Sequence, residues 1–164
     1  MKKAILSLGT NLNDRLNNLK TAIKFLKKVS DTEFLKVSKI YETEPFGVPD
    51  KQDNYYNCCV LLKTKLNPYI LLEDCLKIEL KMGRKRPYKN APRIIDIDMI
   101  YYEGKTCNDQ NLILPHPRAK DRAFVLVPIL DVLSFDDELR KRAKFYLEKL
   151  EVTEIKEVGS FEEH

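Results

Sequence analysis

The feature of this sequence that most limits its possible folds is a series of six apolar segments, each with the period of a strand or of a helix. A period of two residues indicates a strand, and a period of about 3.6 residues indicates an amphipathic helix. Their order along the chain predicts an α+β protein with a ferredoxin-like β-α-β-β-α-β core. The predicted strands are 3–9, 33–41, 55–64 and 94–102, and the predicted helices are 13–29 and 68–83.

Capping residues and apolar stripes support the two predicted core helices. We expect Asn13 to cap the first helix and Asn67, followed by Pro68, to begin the second, which ends near Gly83. Proline suits the first helical position because a backbone N–H, which proline lacks, would have no hydrogen-bond partner within the helix there. The expected buried stripes are Leu16, Leu19, Ile23 and Leu26 in the first helix and Leu72, Cys75, Leu76 and Met82 in the second.

Additional C-terminal helices are predicted beyond this core. Asp136 or Asp137 is expected to begin the last of them, since aspartate is a favoured capping residue. We expect a single domain over 1–158 and a frayed tail over 159–164. The expected additions are a short strand or hairpin at 106–114, a short helical stretch at 118–133 and a helix at 137–150.

Length and composition bound the class of protein. A chain of 164 residues with 43% apolar and 33% charged side chains suits one globular domain. The net charge of +4 is too small for a protein that coats nucleic acid, but it fits an anionic small substrate. We therefore expect small-molecule partners and no nucleic acid. We also expect a monomer, because the sequence contains no long exposed apolar helix that would need a partner.

Neither a membrane nor a secretory function is expected. The apolar start at 4–8 is too short for a signal peptide, and no run approaches the ~20 apolar residues of a membrane span. The four cysteines lack the paired spacing of a zinc site, which favours reduced thiols in a cytoplasmic protein.

Asp96 and Asp98 place two carboxylates inside the apolar run of the last predicted core strand. Residues two apart on a strand point to the same face, so these carboxylates would lie roughly 7 Å apart and repel each other unless cations bind beside them. Hard divalent cations prefer such oxygen ligands, which favours a metal site. The alternative is an ordinary ion pair with Arg93 or Arg122 at a strand edge.

A basic loop precedes this strand, and we expect it to bind phosphate. Arginine contacts phosphate oxygens through two parallel hydrogen bonds and keeps its proton. The chain lacks the glycine-rich G-x-x-x-x-G-K-[ST] loop, so side chains and metal would have to hold a nucleotide's phosphates. Simple solvation of the charges is the alternative. The basic residues are Arg84, Lys85, Arg86, Lys89 and Arg93.

Glu79 is a carboxylate on the predicted buried stripe of the second helix. Such a group costs free energy unless it is paired or hydrogen-bonded. Three explanations stay open, namely support of a functional site, a structural ion pair with Arg84 or Arg86, and exposure near the helix end. Each of them places Glu79 near the basic loop.

Two other segments carry candidate ligand-binding side chains. His116 lies between two prolines that fix its backbone and could donate a hydrogen bond to phosphate, although a lone loop histidine is more often incidental. Tyr55 and Asn57 share one strand face, where an aromatic ring and an amide would suit a flat heterocycle. The alternative is a core tyrosine and an asparagine at the start of a strand.

Together these segments resemble the 6-hydroxymethyl-7,8-dihydropterin pyrophosphokinase family of folate biosynthesis. Residues 89–100 fit its signature, which is a basic residue, a spacer, Gly or Ala, Pro-Arg, two residues and Asp-aliphatic-Asp. The chain carries Lys89-Asn90-Ala91 where the family often has Arg-Trp-Gly, so it lacks an aromatic lid over the expected pterin site. The other matches are Leu8-Gly9-Thr10-Asn11, Tyr41-Glu42-Thr43, Tyr55-Tyr56-Asn57, Ile78-Glu79, Gly83-Arg84, Pro115-His116 and Arg122-Ala123-Phe124.

The resemblance implies that ATP transfers its β,γ-diphosphate to the hydroxymethyl oxygen of the pterin, giving AMP and the pterin diphosphate ester. It implies two Mg²⁺ ions held by Asp96 and Asp98, with Arg84 and Arg93 as further catalytic residues. The implied ATP site is Glu79, Arg84, Arg86, Lys89, Arg93, His116 and Arg122. The implied pterin site is Thr43, Pro45, Phe46, Tyr55, Asn57 and Phe124.

Two other functions are compatible with the fold and the residues alone. A ferredoxin-like sheet can bind nucleic acid on its open face, and paired aspartates can serve a metal-dependent nuclease. Against the first, Asp96 and Asp98 would repel a phosphate backbone, and the exposed aromatic pattern needed for base stacking is not evident.

Overall fold

The computed structural model describes residues 1–45, 48–84, 87–150 and 155–161. Within these ranges no helix is both long and apolar enough to cross a bilayer. The elements in chain order are β1 (Lys2–Thr10), α1 (Arg15–Leu26), β2 (Thr32–Val37), β3 (Ile40–Thr43), β4 (Tyr55–Thr64), α2 (Pro68–Lys81), β5 (Asp96–Tyr102), β6 (Cys107–Asn108), β7 (Ile113–Leu114), a 3₁₀ turn (Ala119–Asp121), α3 (Ala123–Val132), α4 (Glu138–Lys149) and β8 (Lys156–Gly159).

The main sheet has the strand order β5-β1-β4-β3-β8, and β2 pairs with the part of β4 that β3 does not reach. Every pairing in it is antiparallel. Strands β1, β4 and β5, with β2 and β3 sharing the fourth position, are the core strands of a β-α-β-β-α-β arrangement. The predicted α+β, ferredoxin-like class is confirmed.

The strand predicted at 33–41 is two strands, β2 and β3, with a break at Ser38 and Lys39. The Ser38 hydroxyl accepts a hydrogen bond from the Cys59 amide at 2.8 Å, and the Ser38 amide donates to the Cys59 carbonyl at 2.9 Å. These two bonds keep the β4 backbone paired across the break. The chain then continues as β3 to Thr43, which brings that side chain into the sheet.

The predicted helix caps are confirmed for two helices and wrong for one. Asn67 caps α2 and Asp137 caps α4, each with its side chain as the acceptor. The cap of α1 is Asp14, whose carboxylate accepts from the Asn17 amide at 3.0 Å. The predicted cap, Asn13, adopts a left-handed φ of 60° one residue earlier, a conformation that asparagine tolerates.

The buried faces of α1 and α2 differ from the predicted stripes at two leucines. Leu16 is 39% exposed and Leu76 is 43% exposed, because each lies at the margin of the face that packs on the sheet. The face of α2 is centred on Cys75, so it turns away from Leu76. The buried residues of α2 are Pro68, Leu71, Cys75, Ile78 and Glu79.

Each face of the sheet carries its own apolar cluster. Leu6 and Leu8 of β1 face α1 and α2 in the larger cluster. Ile5, which points the other way, packs with Val125 and Ile129 of α3 in the smaller one. Helices α3 and α4 therefore cover only one end of the second face. Further along that face the strands carry polar residues.

The C-terminal strand β8 extends the sheet beyond β3. Tyr41 pairs with Glu157 and Ile40 with Gly159, although Gly159 falls within the predicted frayed tail. Phe161 packs against the larger apolar cluster. Residues 162–164 lie outside the described residues, so the extent of the domain stays a prediction.

Candidate active site

An open cavity of about 1310 Å³ lies at the uncovered end of the second sheet face. The register pairs Ser7 with Asp98 and Gly9 with Asp96, so β1 and β5 present these residues side by side. The floor residues from three neighbouring strands are Ser7, Gly9, Tyr55, Asn57, Asp96 and Asp98. The wall residues are Thr43, Glu44, Lys89, Asn90, Arg93, Arg118, Asp121, Arg122, Ala123, Phe124 and Ile155.

Asp96 and Asp98 both face this cavity, as their spacing predicts. Arg93 donates to Asp96 Oδ2 at 2.9 Å, and an Arg84 nitrogen lies 3.7 Å from Asp96 Oδ1. Burial raises the pKa of Asp96, and the charge of Asp98 adds to this, while Arg93 opposes it. In the described ranges Asp98 forms no ion pair, and its exposed carboxylate points into the cavity.

Glu79 connects α2 to the strand that carries the two aspartates. It is 3% exposed, and its two oxygens accept from Arg84 Nη1 at 3.0 Å and from the Ile97 amide at 2.8 Å. Burial raises the pKa of Glu79 to about 7, although the Ile97 and Arg84 contacts oppose the shift. Of the three explanations, the buried ion pair with Arg84 is confirmed. The separate hydrogen bond from the Ile97 amide fixes the backbone between Asp96 and Asp98.

Two buried arginine nitrogens give the site an unused capacity to donate hydrogen bonds. Within the described residues, Arg84 Nε and Arg93 Nε are buried and lack a hydrogen-bond partner. Such orphaned donors cost free energy, which an anion bound between them would offset. Both guanidiniums lie beside Asp96, Arg93 as a lining residue of the cavity and Arg84 behind the carboxylate.

A buried asparagine holds the loop that carries Arg93. Asn11, which is 1% exposed, accepts from the Arg93 amide at 2.7 Å and donates to the Gln52 side chain at 3.0 Å. Gln52 in turn donates to the Asn90 carbonyl at 2.8 Å. The loop that carries Gln52 and the loop that carries Arg93 are therefore connected through Asn11, the residue that follows β1.

His116 lies close enough to the cavity for the charge of Asp98 to raise its pKa, but burial dominates and lowers that pKa overall. Its Nδ1 accepts from the Arg118 amide at 3.2 Å, which leaves Nε2 as the protonated nitrogen of the neutral ring. The His116 amide donates to the carbonyl of Ile100 at 3.0 Å. This segment is thereby attached to β5.

Two aromatic rings and a fixed amide also line the cavity. Tyr55 and Phe124 both line it. Asn57 is 3% exposed and donates to Thr43 Oγ1 at 2.8 Å, which determines the orientation of its amide. A Cβ on Gly9 would lie 3.0 Å from Asn57 Oδ1, so only glycine leaves this amide undisturbed.

The cavity contains most, but not all, of the predicted site residues. Arg84 and Glu79 lie behind Asp96, and His116 and Pro45 are not among its lining residues. Phe46 and Arg86 lie outside the described residues. The predicted residues that line it are Thr43, Tyr55, Asn57, Lys89, Arg93, Asp96, Asp98, Arg122 and Phe124. The lining residues that were not predicted are Ser7, Gly9, Glu44, Asn90, Arg118, Asp121, Ala123 and Ile155.

The donor set suits a metal that shares its coordination with a ligand. In the described parts of the chain, no three or more His, Cys, Asp or Glu side chains are arranged so that they could hold a metal ion by themselves. Magnesium typically binds one or two carboxylates and completes its shell with water and phosphate oxygens. Asp96 and Asp98, beside arginines suited to phosphate, fit that arrangement.

Comparisons with known proteins agree on one family. The profile described as 7,8-dihydro-6-hydroxymethylpterin-pyrophosphokinase (HPPK) matches residues 5–134. A 2-amino-4-hydroxy-6-hydroxymethyldihydropteridine pyrophosphokinase from Methylorubrum extorquens is 41% identical over 132 residues, covering 80% of this chain and 83% of that protein. The protein of the same name from Bacillus subtilis is 39% identical over 129 residues, covering 79% and 77%.

Solved structures show the same fold. The wild-type HPPK-DHPS of Plasmodium falciparum with pteroate superposes with a TM-score of 0.66 at 16% identity, over 90% of this chain. The match covers 43% of that longer chain, so this chain spans less than half of its length. An HPPK-DHPS in complex with substrates gives a TM-score of 0.63 at 15% identity, over 90% of this chain and 46% of the other.

Proposed function

We propose a reaction scheme and residue roles from one premise: the chain belongs to the 7,8-dihydro-6-hydroxymethylpterin-pyrophosphokinase family. It is a pyrophosphokinase of folate biosynthesis. In the proposed reaction the hydroxymethyl oxygen of the pterin attacks the β-phosphorus of ATP. The bond between the β-phosphorus and the oxygen that bridges it to the α-phosphorus breaks, AMP leaves with that oxygen, and the hydroxyl proton is released.

Asp96 and Asp98 would hold Mg²⁺, and we propose two ions as in the family. When bound, magnesium neutralises phosphate charge and lowers the pKa of a hydroxyl that it contacts. The support from the structure is the position of both carboxylates on one floor, with Asp98 accessible from the cavity. Arg93 orients Asp96 through its hydrogen bond of 2.9 Å.

The basic side chains in the cavity wall would bind the triphosphate. Arg93, Lys89 and Arg122 line the cavity, and Arg84 stands behind Asp96. Fixed guanidiniums need no reorganisation as negative charge moves from the β-phosphorus to the leaving AMP, so positioning and electrostatics supply most of the rate. His116 would donate from Nε2 to a phosphate oxygen, and Glu79 would act through Arg84 rather than touch ATP.

The aromatic and amide residues of the cavity would bind the pterin. Tyr55 and Phe124 supply rings for the two faces of a flat heterocycle, and Asn57 supplies a carbonyl and an amide donor for its edge. Thr43 holds that amide in place. Pro45 and Phe46 complete the proposed set, Phe46 from outside the described residues.

One observation carries this proposal: the paired aspartates, the guanidiniums and the aromatic-amide end occupy a single cavity. We expect AMP to form from Mg-ATP only when 6-hydroxymethyl-7,8-dihydropterin is present, at one AMP per pterin consumed. The matched control is 6-methyl-7,8-dihydropterin, which lacks the attacking oxygen. AMP formation with that control, or none with the substrate in folded protein, would contradict the proposal.

Gly9→Ala tests the pterin end separately. The added Cβ would lie 3.0 Å from Asn57 Oδ1 and displace the amide, so we expect the KM for the pterin to rise about tenfold. The KM for ATP should stay within about twofold, because the three atoms nearest the added Cβ belong to Asn57 and Tyr55 and not to a proposed phosphate ligand. Steady-state kinetics measures both. Gly159→Ala is the control, since a Cβ there meets nothing within 4 Å, and an equal effect of both variants would refute the role of Asn57.

We also propose that the chain acts as a cytoplasmic monomer on ATP and the pterin, without nucleic acid. Its four cysteines are free, and Cys58, Cys59 and Cys75 are buried, which suits a reducing compartment. Asp96 and Asp98 on the cavity floor would repel a polynucleotide backbone.

A further inference from the structure

The residue immediately before the C-terminal strand, Ile155, lines the cavity. β8 pairs with β3 through Tyr41 with Glu157 and Glu42 with Lys156. Continuing this antiparallel register by one residue brings Ile155 opposite Thr43, on the same face of the sheet. Ile155 accordingly lines the cavity, although it is more than fifty residues away in sequence from the floor that it borders.

Ile155 differs chemically from the rest of the wall. Among the described lining residues it is the only aliphatic side chain larger than alanine. Its neighbour Thr43 accepts the hydrogen bond that orients the Asn57 amide. A hydrogen bond sheltered from water is stronger than an exposed one, so an apolar cover at this point favours a fixed amide.

The position of Ile155 is set by contacts of the residues that follow it in the chain. Phe161 packs on the larger apolar cluster, and Glu157 pairs with Lys39 at 3.2 Å. The ion pair is about half exposed and contributes little, so the β3–β8 ladder and Phe161 carry the attachment. The family profile ends at residue 134, so this segment lies outside the matched region.

We propose that Ile155 is a specificity-determining residue for the pterin, a role that rests on the proposed function. It covers the Thr43–Asn57 hydrogen bond and supplies apolar contact to the ring edge that Asn57 reads. The segment that begins β8 therefore contributes to recognition of the pterin and not of ATP, whose phosphate groups bind beside the arginines and aspartates.

Ile155→Ala tests this inference by separating the two substrates. We expect pterin binding, measured by calorimetric titration in the presence of a non-hydrolysable ATP analogue, to weaken about fivefold to tenfold. The KM for the pterin should rise by the same factor, while the KM for ATP and kcat stay within about twofold. Ile155→Leu should restore binding, since it replaces the lost apolar volume.

Val158→Ala is the matched control, because Val158 lies three residues further on in β8, is 37% exposed and does not line the cavity. Unchanged pterin binding in Ile155→Ala would overturn the inference, as would equal weakening in Val158→Ala. A loss confined to thermal stability would also overturn it. Failure of the wild-type protein to bind pterin is a different result, which would overturn the proposed function itself.

Discussion

Asp98→Ala is expected to lower kcat by about 10³-fold, because it removes one of two proposed carboxylate ligands for metal. The fold should survive the change. Asp98 is exposed and forms no ion pair in the described ranges, so its removal leaves no buried charge unpaired and relieves repulsion with Asp96. Release of AMP at saturating ATP and pterin measures kcat, and the midpoint of thermal unfolding monitors the fold.

If Asp98 is a metal ligand, the Asp98→Ala variant should also need more Mg²⁺. The Mg²⁺ concentration that gives half-maximal activity should rise, since one ligand is missing. Asp136→Ala removes an equally charged, exposed residue from the start of α4 and should leave both quantities unchanged. A folded Asp98→Ala protein within tenfold of the wild-type kcat would refute the assignment of Asp98 as a metal ligand.

Glu79→Ala is expected to destabilise the protein by about 3–5 kcal/mol, the usual cost of breaking a buried ion pair on one side. The change leaves the Ile97 amide without its acceptor, and among the described residues the Arg84 side chain retains only its ion pair of 3.7 Å with Asp96. The free energy of unfolding from urea titration measures the loss. Both effects occur behind the cavity floor, so activity should fall as well.

The matched control for this effect lies on the same helix. Glu73 is exposed on α2, and Glu73→Ala should change the free energy of unfolding by no more than about 0.5 kcal/mol. A loss below about 1 kcal/mol in Glu79→Ala would show that the buried contacts of Glu79 stabilise nothing.

Local sequence patterns were sufficient to predict the order of the core elements and the side chains that β5 presents to the cavity. Alternation of apolar residues around Asp96 and Asp98 places both on one face, and both line the cavity. The resemblance of residues 89–100 to a family motif is confirmed by the family match. The position of Glu79 near the end of α2 limited its expected ion-pair partner to the basic loop that follows. The structure identifies that partner as Arg84.

Features that depend on pairing between distant segments were not predictable in this way. The need for glycine at position 9 arises from Asn57, which reaches it only through the register of β1 with β4. Ile155 borders Thr43 through the pairing of β8 with β3. All four residues of β8 are exposed, so its sequence shows no alternation between a buried and a solvated face.

The position of β8 also affects how separate molecules meet. Without it, β3 would present the unpaired amides and carbonyls of a sheet border to solvent, and such borders recruit strands from neighbouring chains. With it, the border carries the exposed charges of Lys156 and Glu157. Charged side chains oppose intermolecular strand addition, so the last described strand protects this protein against aggregation along that side.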